Sequence, residues 1–190
     1  MNTLPKLKVL GFLAMLAFCG HAFAVPQDGM AGVFHSGSAD TGSNRGTVRA
    51  NGDIEAVHSE KGMTNKLSIR LVGRVAIVTV DNGISTGTTT VNLGAMGDWM
   101  KSHPDLAYQL DSAARMVNKS RSGSLSVNAQ PMGTGRCRAE LKNLLEKADA
   151  AVTACAWGGG IMCALATVEY GTAKDDHDKC INAADAEAGG

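Results

Sequence analysis

The chain has 190 residues, 18 basic and 18 acidic side chains, and only 4% aromatics. Nucleic-acid binding needs phosphate-neutralising charge and stacking faces, and this composition supplies neither. It also lacks the polybasic patch that holds a protein to an anionic membrane surface.

The first element reads as a secretory signal. Lys6 and Lys8 form a short positive region, Val9 to Phe18 is apolar, and Ala22-Phe23-Ala24 is a small-x-small cleavage site. The apolar run is shorter than the roughly 20 residues that a spanning helix needs. Residues 1–24 are therefore expected to be removed, leaving Val25 at the mature N-terminus. Cleavage takes two lysines and no acid, so the mature net charge is −2. The segment Leu16-Ala17-Phe18-Cys19-Gly20 resembles a bacterial lipobox. It departs from that pattern at bulky Phe18, which puts lipidation of Cys19 in doubt.

Residues 25–46 are rich in Gly, Ser, Asn and Asp and read as a flexible N-terminal segment. Strand signals follow. Thr47–Ala50 and Asp53–Val57 flank Asn51-Gly52, a hairpin pair whose residues both accept positive φ. Lys66–Val72 alternates, with Leu67, Ile69 and Leu71 on one face, and Arg74–Val80 continues beyond a bend at Gly73. Asp81-Asn82-Gly83 is a turn, and the β-branched stretch Ile84–Leu93 is the next strand. Ser102-His103-Pro104-Asp105 reads as a helix start, with Leu106, Leu110, Ala113 and Val117 as its buried stripe. Residues 47–119 thus form a small antiparallel β-meander of four or five strands plus a helix. Residues 120–135, with Pro131, Gly133 and Gly135, read as a linker. Strands followed by helices make the fold class α+β.

Residues 136–190 hold Cys137, Cys155, Cys163 and Cys180, the four cysteines that remain in the mature chain. An even number in an exported protein implies two disulfides. Arg136–Ala156 reads as a helix, because Leu141, Leu144, Leu145, Ala148, Val152 and Cys155 recur at three- and four-residue steps. Ile161–Tyr170 begins a second helix, and Gly158-Gly159-Gly160 turns the chain between them. On that reading Cys137 and Cys155 stand about 27 Å apart on one rod, far beyond the roughly 7 Å limit for a disulfide. Cys163 and Cys180 are separated by nearly the same length. An antiparallel hairpin therefore pairs Cys155 with Cys163 at the turn and Cys137 with Cys180 at the open end.

No catalytic, metal or cofactor site emerges. Gly83-Ile84-Ser85-Thr86-Gly87 matches the G-x-S-x-G of a nucleophile elbow, but strand-like threonines follow where a helix is required. His35, His58, His103 and His177 make no paired metal-ligand spacing. His58 with Glu60 offers half a site in what reads as a loop, and His103 flanks a helix start. Asp175-Asp176-His177-Asp178 lacks the alternating acids and central glycine of a calcium loop and reads as a solvated patch. The expected function is that of an exported, non-enzymatic protein of the periplasm or the extracellular medium. It would bind a protein or envelope partner or give structural support. One alternative is a membrane-active, bacteriocin-like protein that inserts residues 150–168, a run of 19 without a charge. Another is a small secreted hydrolase using Ser85.

Overall fold

The computed structural model describes residues 30–38, 42–109, 112, 126–128, 135–156 and 160–188. Six strands follow one another: β1 (Met30–Ser38), β2 (Gly42–Arg49), β3 (Ile54–Glu60), β4 (Met63–Val72), β5 (Val75–Asp81) and β6 (Thr86–Asn92). Each pairs antiparallel with the next. A short strand, β7 (Ser126–Asn128), adds to the far side of β1, giving the order β6-β5-β4-β3-β2-β1-β7. The helices are α1 (Leu93–Ser102), a short segment at 104–109, α2 (Arg138–Ala156) and α3 (Ile161–Ala188). The α+β class and the meander-then-helices order are as expected.

Local chemistry explains the meander. At Asn51-Gly52 the chain reverses as predicted: Gly52 N–H donates to Arg49 O at 2.9 Å, with Gly52 at φ +88°. Alternating residues of each strand then share one face. Phe34, Gly46, Ala56, Leu67 and Val80 form one cross-strand row on it, and Ile54, Ile69 and Val78 lie in another. Helix α2 covers this face with Leu141, Leu144, Leu145, Ala148 and Val152, all buried. Its approach to β1 is close, because a Cβ on Gly32 would stand 2.8 Å from Leu145 Cδ1. Helix α3 packs on α2 and reaches the sheet through Tyr170, whose buried hydroxyl donates to Gly52 O at 2.6 Å. In turn α1 packs on α3, where Gly171 faces Leu93.

Cys137–Cys180 and Cys155–Cys163 are disulfides, with Cα separations of 5.8 and 4.5 Å. The nested pairing follows from the antiparallel hairpin. Helix α3 runs unbroken through Gly171-Thr172, so the two arms do match in length. Disulfides are compatible with an exported protein. Among the described residues no helix is long and apolar enough to cross a membrane.

Several boundaries differ from expectation. Residues 30–38 and 42–46 are paired strands, not part of a flexible segment 25–46. Residues 126–128 form β7 inside the expected 120–135 linker. The strand ends at Asn92, whose side chain accepts from Ala95 N–H and starts α1, an additional helix, while the expected helix start at 102–105 is where the segment 104–109 begins. Leu106 is 43% exposed and its neighbour Ala107 is buried, so the expected stripe is turned. Ile161 is 45% exposed and packs on the hairpin seam less than Leu165 does. Leu110, Ala113, Val117 and Trp157 lie outside the described residues.

Candidate binding surface

Among the described residues, a set of converging polar groups lies between the sheet and α2. Asp149 on α2 accepts from Ser36 Oγ at 2.6 Å and from Asn44 Nδ2 at 2.7 Å. Asn44 Nδ2 also reaches Thr153 Oγ1 at 2.7 Å, and Thr153 Oγ1 donates to Asp149 O at 3.1 Å. With its amide nitrogen so used, Asn44 presents Oδ1 to His58 Nδ1 at 2.7 Å. That makes Nδ1 the donating nitrogen of His58. On the same strand, Glu60 Oε2 stands 3.6 Å from His58 Nε2. His58 is 4% exposed, so the reading of it as a loop histidine is corrected: it is a strand residue facing the helices. The cluster joins β1, β2 and β3 to α2 by hydrogen bonds where apolar side chains are few.

Burial raises the Asp149 carboxyl above its usual 3.8, while hydrogen bonds from Ser36 and Asn44 and the charges of His58 and His35 lower it. The balance is upward. A carboxyl raised in the folded state holds its proton more readily than in the unfolded chain. Its ionisation therefore lowers stability as pH rises through the window above 3.8. Asp149→Asn removes that ionisation, and its remaining oxygen still accepts from Ser36 and Asn44. The variant is expected to melt no lower than wild type at pH 7. The wild-type-minus-variant difference in Tm should grow in favour of wild type as pH falls through the window. A variant less stable at pH 7 by more than about 1 kcal/mol, the net worth of one hydrogen bond, would mean that the charge itself holds the network.

The other singled-out residues are scattered. Ser85 sits in the β5–β6 turn, its N–H donating to Asn82 Oδ1 at 2.8 Å, and β6 follows it where an elbow would have a helix. It rims a cleft of about 890 Å³ with His58, Glu60, Asn65, Asp81 and Ala156. His103 caps the C-terminus of α1 and stacks on Trp99 with ring centroids 4.9 Å apart. Asp176 and Asp178 lie on α3, paired with Lys179 and Lys174. His177 between them is buried, and burial lowers its pKa. Among the described residues no three His, Cys, Asp or Glu side chains gather as a metal site.

Among the described residues the opposite face of the sheet is open. Among the described residues no helix lies over it, and the outward side chains of β1 to β4 frame a groove of about 750 Å³. One wall is a cross-strand row in register: His35, Arg45, Val57 and Lys66. The other is Val33, Thr47 and Glu55. Glu55 is engaged by Arg49 at 3.0 Å. Asp81 stands opposite Lys66 on β5, and among the described residues no carboxylate comes within ion-pair distance of Arg45 or Lys66. His35 Nδ1 donates to Asn44 O at 3.0 Å, which holds the ring against the strand. The arrangement presents two cations beside the aliphatic body of Val57. Sequence reasoning missed it. The alternation of Glu55 and Val57 with inward Ala56 and His58 was the available signal, but the row needs the cross-strand register. Comparison with known protein families, curated proteins and solved structures found nothing that matches this chain.

Proposed function

We propose that this chain is an exported, non-enzymatic binding protein of the bacterial envelope or medium, whose working surface is the groove on the open face of its sheet. The observation that carries this reading is the row Arg45–Val57–Lys66, exposed and in register on a sheet whose other face is sealed by helices. Arg45 and Lys66 suit a partner rich in carboxylate or phosphate groups, with Asp81 opposite Lys66 bounding the row on the next strand, and Val57 suits an aliphatic or sugar body between them. Export is supported by the N-terminal signal pattern and by cysteines that are paired rather than free.

The test combines charge reversal with crosslinking. Arg45→Glu should weaken binding to isolated envelopes about tenfold, or ~1.4 kcal/mol, without lowering Tm. Wild-type binding should fall with added salt, which screens exposed charge. A photo-crosslinking residue at position 57 should capture the partner, and one at exposed position 161 should not. Equal capture at both, or unchanged binding after charge reversal, would move the working surface elsewhere.

A further inference from the structure

Sheets expose two edges, and here they are treated differently. One edge is β7, only three residues long. The other is β6, seven residues long, and among the described residues no strand pairs with its outer side. Natural proteins guard such an edge with charge, proline, a bulge or a short strand, because unpaired N–H and C=O groups recruit another strand. None of these guards is present on β6. Its pairing with β5 has no register shift from Asp81–Thr86 to Val75–Asn92. From Asn82 to Gly97 the sequence has no charged residue and no proline. Thr86, Thr88 and Thr90 are all exposed.

The bond from Asn82 N–H to Ser85 O sets the parity of the hairpin. Antiparallel ladders alternate hydrogen-bonded and non-bonded pairs. Gly87, Thr89 and Val91 therefore turn their backbone groups toward β5. Thr86, Thr88 and Thr90 turn theirs outward.

We propose that β6 is a homodimer edge: two copies of this chain pair β6 to β6, antiparallel, about a twofold axis at Thr88. That axis sets Thr88 opposite Thr88 and Thr86 opposite Thr90, so that all the outward N–H and C=O groups of the three threonines find partners. The strand is self-complementary. Identical uncharged strands meet without like-charge repulsion, and threonine facing threonine is a favourable cross-strand pair. The same register brings Ile84, 94% exposed in the single chain, beside Asn92 of the other copy. A foreign strand fits less well. Edge addition gains its specificity from pockets for alternate side chains, and Thr86, Gly87, Thr88, Thr89 and Thr90 form none. The contact is isologous and closes on itself. It is also narrow, so the dimer is expected to dissociate on dilution.

The experiment is sedimentation of the whole mature chain over a concentration series. Wild type should pass from monomer to dimer, and the amides of Thr86, Thr88 and Thr90 should gain hydrogen-exchange protection over the same range. Thr88→Pro removes an outward N–H without breaking a backbone bond to β5, losing only the exposed hydroxyl contact with Thr79 at 3.4 Å, and should stay monomeric with a nearly unchanged Tm. Should that variant misfold, Thr88→Lys and Thr88→Asp give a second test. Each alone should be monomeric, and an equimolar mixture should dimerise. Wild type that remains monomeric at its solubility limit would overturn the proposal. So would dimerisation of Thr88→Pro, or a mixture that stays monomeric where wild type pairs.

Discussion

Replacing Cys137 and Cys180 with alanine should lower the unfolding free energy by about 4 kcal/mol. The bond closes a loop of 43 residues that contains all of α2 and more than half of α3. Without it the unfolded chain regains the entropy of that loop. Cys155–Cys163 spans only 8 residues, and the same treatment gives about 2.5 kcal/mol for its loss. Domains are stable by only about 5–15 kcal/mol, so the outer bond is a large part of the whole. Urea midpoints for the two double-alanine variants check both the size and the order. The inner cysteines are fully buried, and the outer bond lies nearer the surface. If loss of the inner bond proves the more damaging, packing around that buried pair outweighs loop entropy, and the loop account is wrong here.

Substitutions at Phe34 and Gly46 should be strongly coupled, each changing the cost of the other. The Phe34 ring is buried, and a Cβ built on Gly46 would stand 2.4 Å from Phe34 Cζ and 2.9 Å from Ala56 Cβ. Gly46 is there because the ring occupies the space a side chain would need; its backbone is in the ordinary extended region. Phe34→Ala alone should cost about 3–5 kcal/mol, the range for emptying a buried phenyl site. Gly46→Val alone should cost about 1–3 kcal/mol through overpacking. In the Phe34→Ala background, Gly46→Val should cost clearly less, because the ring has gone and only the 2.9 Å approach to Ala56 Cβ remains. A double-mutant cycle by chemical unfolding measures this directly. Additive losses would show that the ring and the glycine are independent.

The C-terminal third was legible because it rests on rigid geometry. Helix rise makes a Cys137–Cys155 bond impossible, and matched arms leave one antiparallel pairing. Asn51-Gly52 was legible because turn chemistry is local. The segment from Met30 to Gly46 was not. Its inward positions include Gly32, Ser36, Asn44 and Gly46, which show no apolar period. Glycine there makes room for Leu145 and Phe34, and Ser36 and Asn44 serve Asp149, more than a hundred residues away. Such a strand looks like a linker until its partner is known. The same distance hid the His58 environment, since Asn44 stands 14 residues before it on another strand. The start of α1 had a local mark, Asn92 as N-cap, obscured by the threonines before it and the glycines after it.

The hydroxyl of Tyr170 on Gly52 also bears on the order in which the fold can be made. That bond spans 118 residues, and the Ser36–Asp149 bond spans 113. The meander consists of neighbours pairing with neighbours, so its ladders can form early and locally. Its inner face, however, has nothing to bury against until the last third of the chain exists. A nascent chain emerging N-terminus first carries a half-finished sheet, its apolar rows bare, throughout most of its synthesis. Only when α2 and α3 arrive can the core close. Under the export proposed above, that delay would keep the chain in a state that can still be threaded through a membrane.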